Sequence, residues 1–211
     1  MKNKILLIGT LSNKEYNYIT GQSVIFDSIV EYFSKHYDVS VINTNDSGRY
    51  ERGSVAFFVA RIIQFVFIYI KLLWILIKNK RNVVYYQTAL SALGLRRDLI
   101  AIKIISLFKV PVVAHQFGNV NVEKLFNGDE ISKKRVSELS KKLNFIIVEG
   151  YSMVDEYQKY GVSKNKIIVI PNGFKEENTI DKSSKSYNQS ESFRLLYLSN
   201  LIFSKGYFDV L

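Results

Sequence analysis

A few polar positions stand where apolar runs end, and these are the places where this chain could do chemistry. Thr20-Gly21-Gln22-Ser23 opens a helical pattern, where free backbone amides and the helix dipole can hold an anion or a polar sugar. The same four residues also make a plain glycine-containing N-cap, and the sequence leaves both readings open. His115 directly follows the apolar run 110–114, and Glu149 directly follows 145–148. A lone histidine is more often structural. One placed straight after a central strand of an α/β sheet points towards a site, because such sheets bind ligands beyond the carboxyl ends of their strands. Pro171-Asn172-Gly173 ends another apolar run, and Ser204-Lys205-Gly206 forms a turn after the run 194–198.

The elements that must position these groups alternate. Short apolar strands are predicted at 4–8, 39–42, 82–86, 110–114, 145–148 and 166–170, with boundaries good to about 2–4 residues. Helical periodicity lies between them, at 21–35, 54–78, 90–108 and 131–143, and in a further helix ending near Tyr160-Gly161. Strand–helix alternation implies right-handed crossovers and a mostly parallel sheet covered on both faces. The fold class is therefore α/β, a Rossmann-like doubly wound domain. Three segments are expected: a domain over 1–171, a polar linker over 172–192, and the opening of a second Rossmann-like domain over 193–211. The stretch 178–192 is rich in Ser, Lys and Asn, as linkers are.

Composition narrows the chemistry. The 211 residues are 47% hydrophobic and 23% charged, the balance of a folded globular chain. There is no cysteine, which removes disulfides and thiolate metal sites, and two histidines make a His-rich metal site a poor expectation. No metal or cofactor is expected. The loop after the first strand runs from Thr10 to Thr20 with one glycine at each end, too long for the tight G-x-G-x-x-G turn of nicotinamide and flavin enzymes. The net charge of +10 fits an anionic partner, but no nucleic-acid signature accompanies it, so no nucleic acid is expected. The amino terminus carries no signal-peptide pattern, which leads to a cytoplasmic expectation.

Residues 54–78 are unusually greasy. Arg61 and Lys71 interrupt them, so they fall short of a clean membrane span. Arg61, Gln64, Lys71 and Lys78 are expected to share one solvated stripe, leaving a very wide apolar face. Part of that face, around Phe58, Phe65, Trp74 or their neighbours, is expected to stay exposed. Shallow insertion at the anionic inner face of a membrane, or a partner helix, is weighed evenly against plain burial on the sheet.

Taken together, the glycine-bearing loop leading into 20–25, VVAHQFGN at His115, IIVEGYSMVDEYQKYGV with Glu149, IVIPNGF at 168–174 and LLYLSNLIFSKGY at 195–207 resemble the family 4 glycosyltransferases, retaining enzymes of the two-domain GT-B fold. The resemblance covers essentially the whole chain. It implies a nucleotide-sugar donor, a glycan or lipid-linked acceptor, and an amino-terminal domain that receives the acceptor. It also implies catalytic roles for His115, at the transferred sugar or acceptor, and for Lys205, on the donor diphosphate. Gly21, Gln22, Asn200 and Glu149 would then bind donor or acceptor. The family commonly has Arg at the position of Asn200 and often Ser at that of Glu149. Its glutamate pair and nucleotide-base pocket have no counterpart here, so this chain alone is expected to be an inactive amino-terminal fragment. The alternative is a non-catalytic, membrane-associated or partner-binding Rossmann-like domain.

Overall fold

A computed structural model describes residues 3–13, 19–45, 54–78, 82–89, 92–118, 130–159 and 161–173. The elements run β1 (Lys4–Gly9), α1 (Gly21–His36), β2 (Asp38–Asn43), α2 (Val55–Lys78), β3 (Val83–Gln87), α3 (Ala92–Leu107), β4 (Val112–Gln116), α4 (Glu130–Lys142), β5 (Phe145–Val148), α5 (Tyr151–Lys159) and β6 (Ile167–Val169). The strands form one six-stranded sheet in the order β2-β1-β3-β4-β5-β6. Every neighbouring pair is parallel. The chain divides by compactness into a first unit, Met1–Asn172, and a second, Gly173–Leu211. The expected linker and second-domain strand lie outside the described residues.

The strands read as apolar runs because both faces are covered. Leu6, Ile8, Val84, Tyr86, Val112, Ala114, Ile146 and Val148 pack in one core with residues of α2, α3, α4 and α5. Ile5, Leu7 and Tyr85 point to the opposite face, where Phe26, Ile29 and Phe33 of α1 meet them. The division follows from crossover handedness. The chain steps from β1 outward to β2 in one direction and from β2 back across to β3, β4, β5 and β6 in the other. Right-handed crossovers then place α1 on one face and the four later helices on the other.

Helix ends follow local chemistry. Thr20 and Ser23 form a reciprocal capping box at the start of α1. Gly161, at φ 81°, lies just past α5, and the amide of Val162 reaches back to the Tyr157 carbonyl at 3.1 Å. One boundary corrects the sequence reading in a way that matters. The expected strand 110–114 is displaced to Val112–Gln116. Pro111 has no N–H to give to a ladder, so it only accepts, from Val84 at 2.9 Å, and pairing starts one residue later. His115 consequently lies inside β4, paired in register with Gln87 and Ile147, rather than in the loop beyond it.

Candidate active site

The direction of chain travel reverses between β1 and β3, and open α/β sheets form their binding crevice at such a switch point, beyond the carboxyl ends of the strands. Side chains tie its floor together. Gln87, at the end of β3, accepts a hydrogen bond through Oε1 from the Thr10 amide at 2.7 Å. Thr10 and Thr44 share a hydroxyl–hydroxyl bond of 3.1 Å, and Asn43 accepts from the Leu11 and Asn45 amides at 3.1 and 2.9 Å. Gly9 is required by close approach. A Cβ there would sit 2.5 Å from the Phe26 ring and 2.6 Å from Gln87 Oε1. The glycine that shapes this crevice is therefore Gly9.

His115 is the centre of the next strand end. It is 6% exposed, and its Nδ1 lies 2.5 Å from the Tyr85 hydroxyl. Phe117 stacks on its other side with ring centroids 4.0 Å apart. Burial raises the pKa of the Tyr85 phenol, so that hydroxyl keeps its proton. Which of the two groups donates in this bond is set by the imidazole tautomer. His115 Nε2 is buried and has no hydrogen-bond partner among the described residues. Burial also pushes the imidazole pKa down to about 4, with the nearby Glu149 charge pulling weakly the other way. At neutral pH the ring is an uncharged hydrogen-bonding group.

The neighbouring residues fix the loops around it. Gln116 accepts from the Thr88 hydroxyl at 2.6 Å and donates to the Phe117 carbonyl at 3.2 Å. Glu149 uses both carboxylate oxygens. Oε2 accepts from the Gly118 amide at 2.9 Å, and Oε1 accepts from Asn172 Nδ2 at 2.6 Å. Gly118 has φ 74°, a conformation that glycine adopts without steric cost. Glu149 thus braces the loop after β4 against the segment after β6. Gly21 and Gln22 form the first turn of α1, Gly21 exposed and Gln22 half-buried, and a Cβ at Gly21 would meet nothing within 4 Å. The structure brings His115, Glu149 and Asn172 together at the strand ends. Lys205 and Asn200 lie outside the described residues. Gln87, Gln116, Tyr85 and Thr88 were not singled out from sequence. The available signal was a glutamine closing each of two apolar strands. Among the described residues, no three His, Asp or Glu side chains gather to hold a metal ion.

The low pKa of His115 has a measurable consequence. Unfolding returns the ring towards its ordinary 6.5, so below that pH the unfolded chain binds more protons than the folded one. Stability is expected to be unaffected by this group above about pH 6.5 and to fall as pH drops from there towards 4, by up to about 3 kcal/mol. Urea unfolding at several pH values checks this. A His115→Gln variant should lose that part of the slope, and an unchanged slope would show that other groups carry it.

No family model matches the sequence, and no curated protein matches it. Solved structures do. The chain is similar to the apo form of the lipopolysaccharide outer core galactosyltransferase WaaB, with a TM-score of 0.51 and 13% identity over 86% of this chain and 50% of that one. It is also similar to Anabaena Alr3699/HepE in complex with UDP-glucose, with a TM-score of 0.39 and 16% identity over 81% of this chain and 44% of that one. The chain spans about half the length of the solved structures it matches. The shared feature is the fold. The first unit is a Rossmann-like α/β domain of the kind found in GT-B glycosyltransferases.

Proposed function

We propose that the first unit is the acceptor-side half of a retaining, family 4-like glycosyltransferase. Such an enzyme would move a hexose from a nucleotide-sugar donor to a membrane-linked or surface-polysaccharide acceptor. The observation that carries this reading is the buried His115, whose Nε2 stands unpartnered at the carboxyl edge of a parallel sheet shared in fold with a galactosyltransferase. An uncharged imidazole there suits a hydrogen bond to a hydroxyl of the transferred sugar. Gly21 and Gln22 then line the cleft near the diphosphate. Glu149 acts through the two loops it braces. By the resemblance, Asn200 and Lys205 would bind the donor phosphates in the complete enzyme.

In the proposed reaction the anomeric C–O bond to the diphosphate breaks as the acceptor oxygen bonds to the same carbon from the same face. The acceptor proton passes to the departing phosphate oxygen, so no base from residues 1–172 is required. Only interactions that strengthen as charge leaves the sugar accelerate this step. The test is transfer from nucleotide hexoses by the enzyme joined to a complete donor-binding domain, with the anomeric configuration read by NMR. Retained configuration is expected, and inversion sinks the reading. A second reading, a non-catalytic membrane-associated or partner-binding domain, is favoured by one observation, the exposed apolar face of α2. That reading predicts no transfer with any donor.

A further inference from the structure

Helix α2 has 24 residues, no Asp or Glu, and enough length and apolarity to cross a bilayer, yet only 17% of its most apolar 18-residue window is buried. One side is a core face. Phe65, Ile68, Leu72, Ile75 and Leu76 pack against the sheet and its neighbouring helices. The other side covers about half of the helix circumference and is exposed and apolar. Ile62, Phe67, Ile70 and Ile77 are each 58% exposed or more, and Trp74 is 55% exposed. A soluble domain rarely leaves so long an apolar strip uncovered without a partner.

Crossing a membrane is excluded by the fold. The helix connects β2 to β3, and both strands pair with β1 in one sheet, so both helix ends return to the same body. Gln64 donates to the Asn45 carbonyl beyond β2, and Tyr69 donates to the Arg97 carbonyl of α3 at 3.3 Å. The helix can only lie flat. Its margins then identify what it lies on. Lys71 and Lys78 are exposed along one edge of the strip, and Arg96 is exposed on α3, which packs beside α2. Lys78 Nζ sits 4.7 Å from the Trp74 ring centroid, a pairing of apolar body and cationic head suited to a headgroup boundary. The chain as a whole carries +10. A second copy on this strip would bring like charges together, whereas an anionic lipid surface neutralises them.

We propose that the outer face of α2 docks in the plane of an anionic lipid bilayer, with its apolar strip sunk to the headgroup–acyl boundary and Lys71 and Lys78 on lipid phosphates. This holds whether or not the domain transfers sugar. The chain has a single tryptophan, Trp74, and it lies on the proposed face, so its emission reports docking directly. The experiment adds vesicles of phosphatidylcholine with or without phosphatidylglycerol to the full chain. With phosphatidylglycerol, Trp74 emission should shift to the blue and be quenched by bromines placed high on the acyl chains, and both effects should weaken as salt rises. Lys71→Gln with Lys78→Gln should weaken binding roughly thirtyfold at low salt. Ile62→Ser with Phe67→Ser should abolish the blue shift while leaving the far-ultraviolet dichroism intact. Unchanged Trp74 emission overturns the proposal. So does equal binding to neutral vesicles, strongest quenching at the bilayer centre, or a lipid-free dimer in which Trp74 is already shielded.

Discussion

Asp98→Ala is expected to lower the free energy of unfolding by about 3–5 kcal/mol, the usual cost of stranding one member of a buried ion pair. Asp98 is fully buried and Arg97 is 4% exposed. The carboxylate oxygen Oδ1 accepts from Arg97 Nε at 2.8 Å, from Arg97 Nη2 at 2.6 Å and from the Tyr86 hydroxyl at 2.8 Å, while Oδ2 accepts from the Ala89 amide at 2.6 Å. Burial works most strongly against the Arg97 charge, and the Asp98 charge, Tyr86 and the hydrogen bonds to both together outweigh it, leaving the guanidinium pKa raised. Removal of the carboxylate leaves that cation in the core, with the Phe65 ring at 5.8 Å as a weak remaining partner. It also releases the Ala89 amide, next to Thr88, whose hydroxyl donates to Gln116 at the floor of the crevice. Asp98→Asn keeps acceptor capacity towards Ala89 or Tyr86 and should cost less. Urea unfolding measures both, with the midpoint moving and the slope held. A loss under about 1 kcal/mol for Asp98→Ala would mean that Arg97 finds solvent or a new partner when Asp98 is gone.

The sheet was legible because period-2 and period-3.6 patterns are local properties, and each of the six strands expected within 1–171 overlaps an observed one. The displaced strand β4 shows where local reading slips. Apolar character at 110–114 says nothing about which residue first donates to a ladder, and Pro111 decides that. Helix α2 shows a second limit. Arg61, Gln64, Lys71 and Lys78 were expected on one solvated stripe, but a seven-residue spacing drifts about 20° per heptad. Over the span the stripe rotates away, so Lys71 and Lys78 reach solvent while Arg61 and Gln64 turn inward and pair with each other at 2.8 Å. Phe65, one of the positions around which exposure was expected, is buried, while Phe58 and Trp74 are exposed. Within the site, His115 and Glu149 could be marked from their place after apolar runs. Their partners could not, because Tyr85 lies 30 residues from His115 and Asn172 lies 23 from Glu149. Those contacts depend on strand order, which a one-dimensional pattern does not contain. The capping box of Thr20 and Ser23 supports the plain N-cap reading of the first helix start, and it engages the amides of those two residues only.

Lys205→Ala, in an enzyme with a complete donor-binding domain, is expected to cut turnover by about 10²–10³-fold with little change in stability. The basis is the resemblance of the Ser204-Lys205-Gly206 turn to the family turn that meets the donor diphosphate. Negative charge on the diphosphate grows as the anomeric bond breaks, and a lysine ammonium held against it would act on that growth rather than on the bound ground state. The effect should therefore fall on kcat more than on KM. The resemblance puts Asn200 where the family commonly has Arg, so on this proposal the loss of Lys205 should be felt fully, and Asn200→Arg is expected to recover part of the lost rate. His115→Ala provides the internal comparison. Its Nε2 is proposed to meet a sugar hydroxyl, a neutral contact present before and during the reaction, so its loss should be smaller and shared between KM and kcat. The two variants are measured side by side, with circular dichroism to confirm the fold. Near-normal turnover of Lys205→Ala removes the assignment of that turn to the donor phosphates. Loss with His115→Ala alone would then move the site's chemistry onto the first unit, where the neutral imidazole stands near the strand ends.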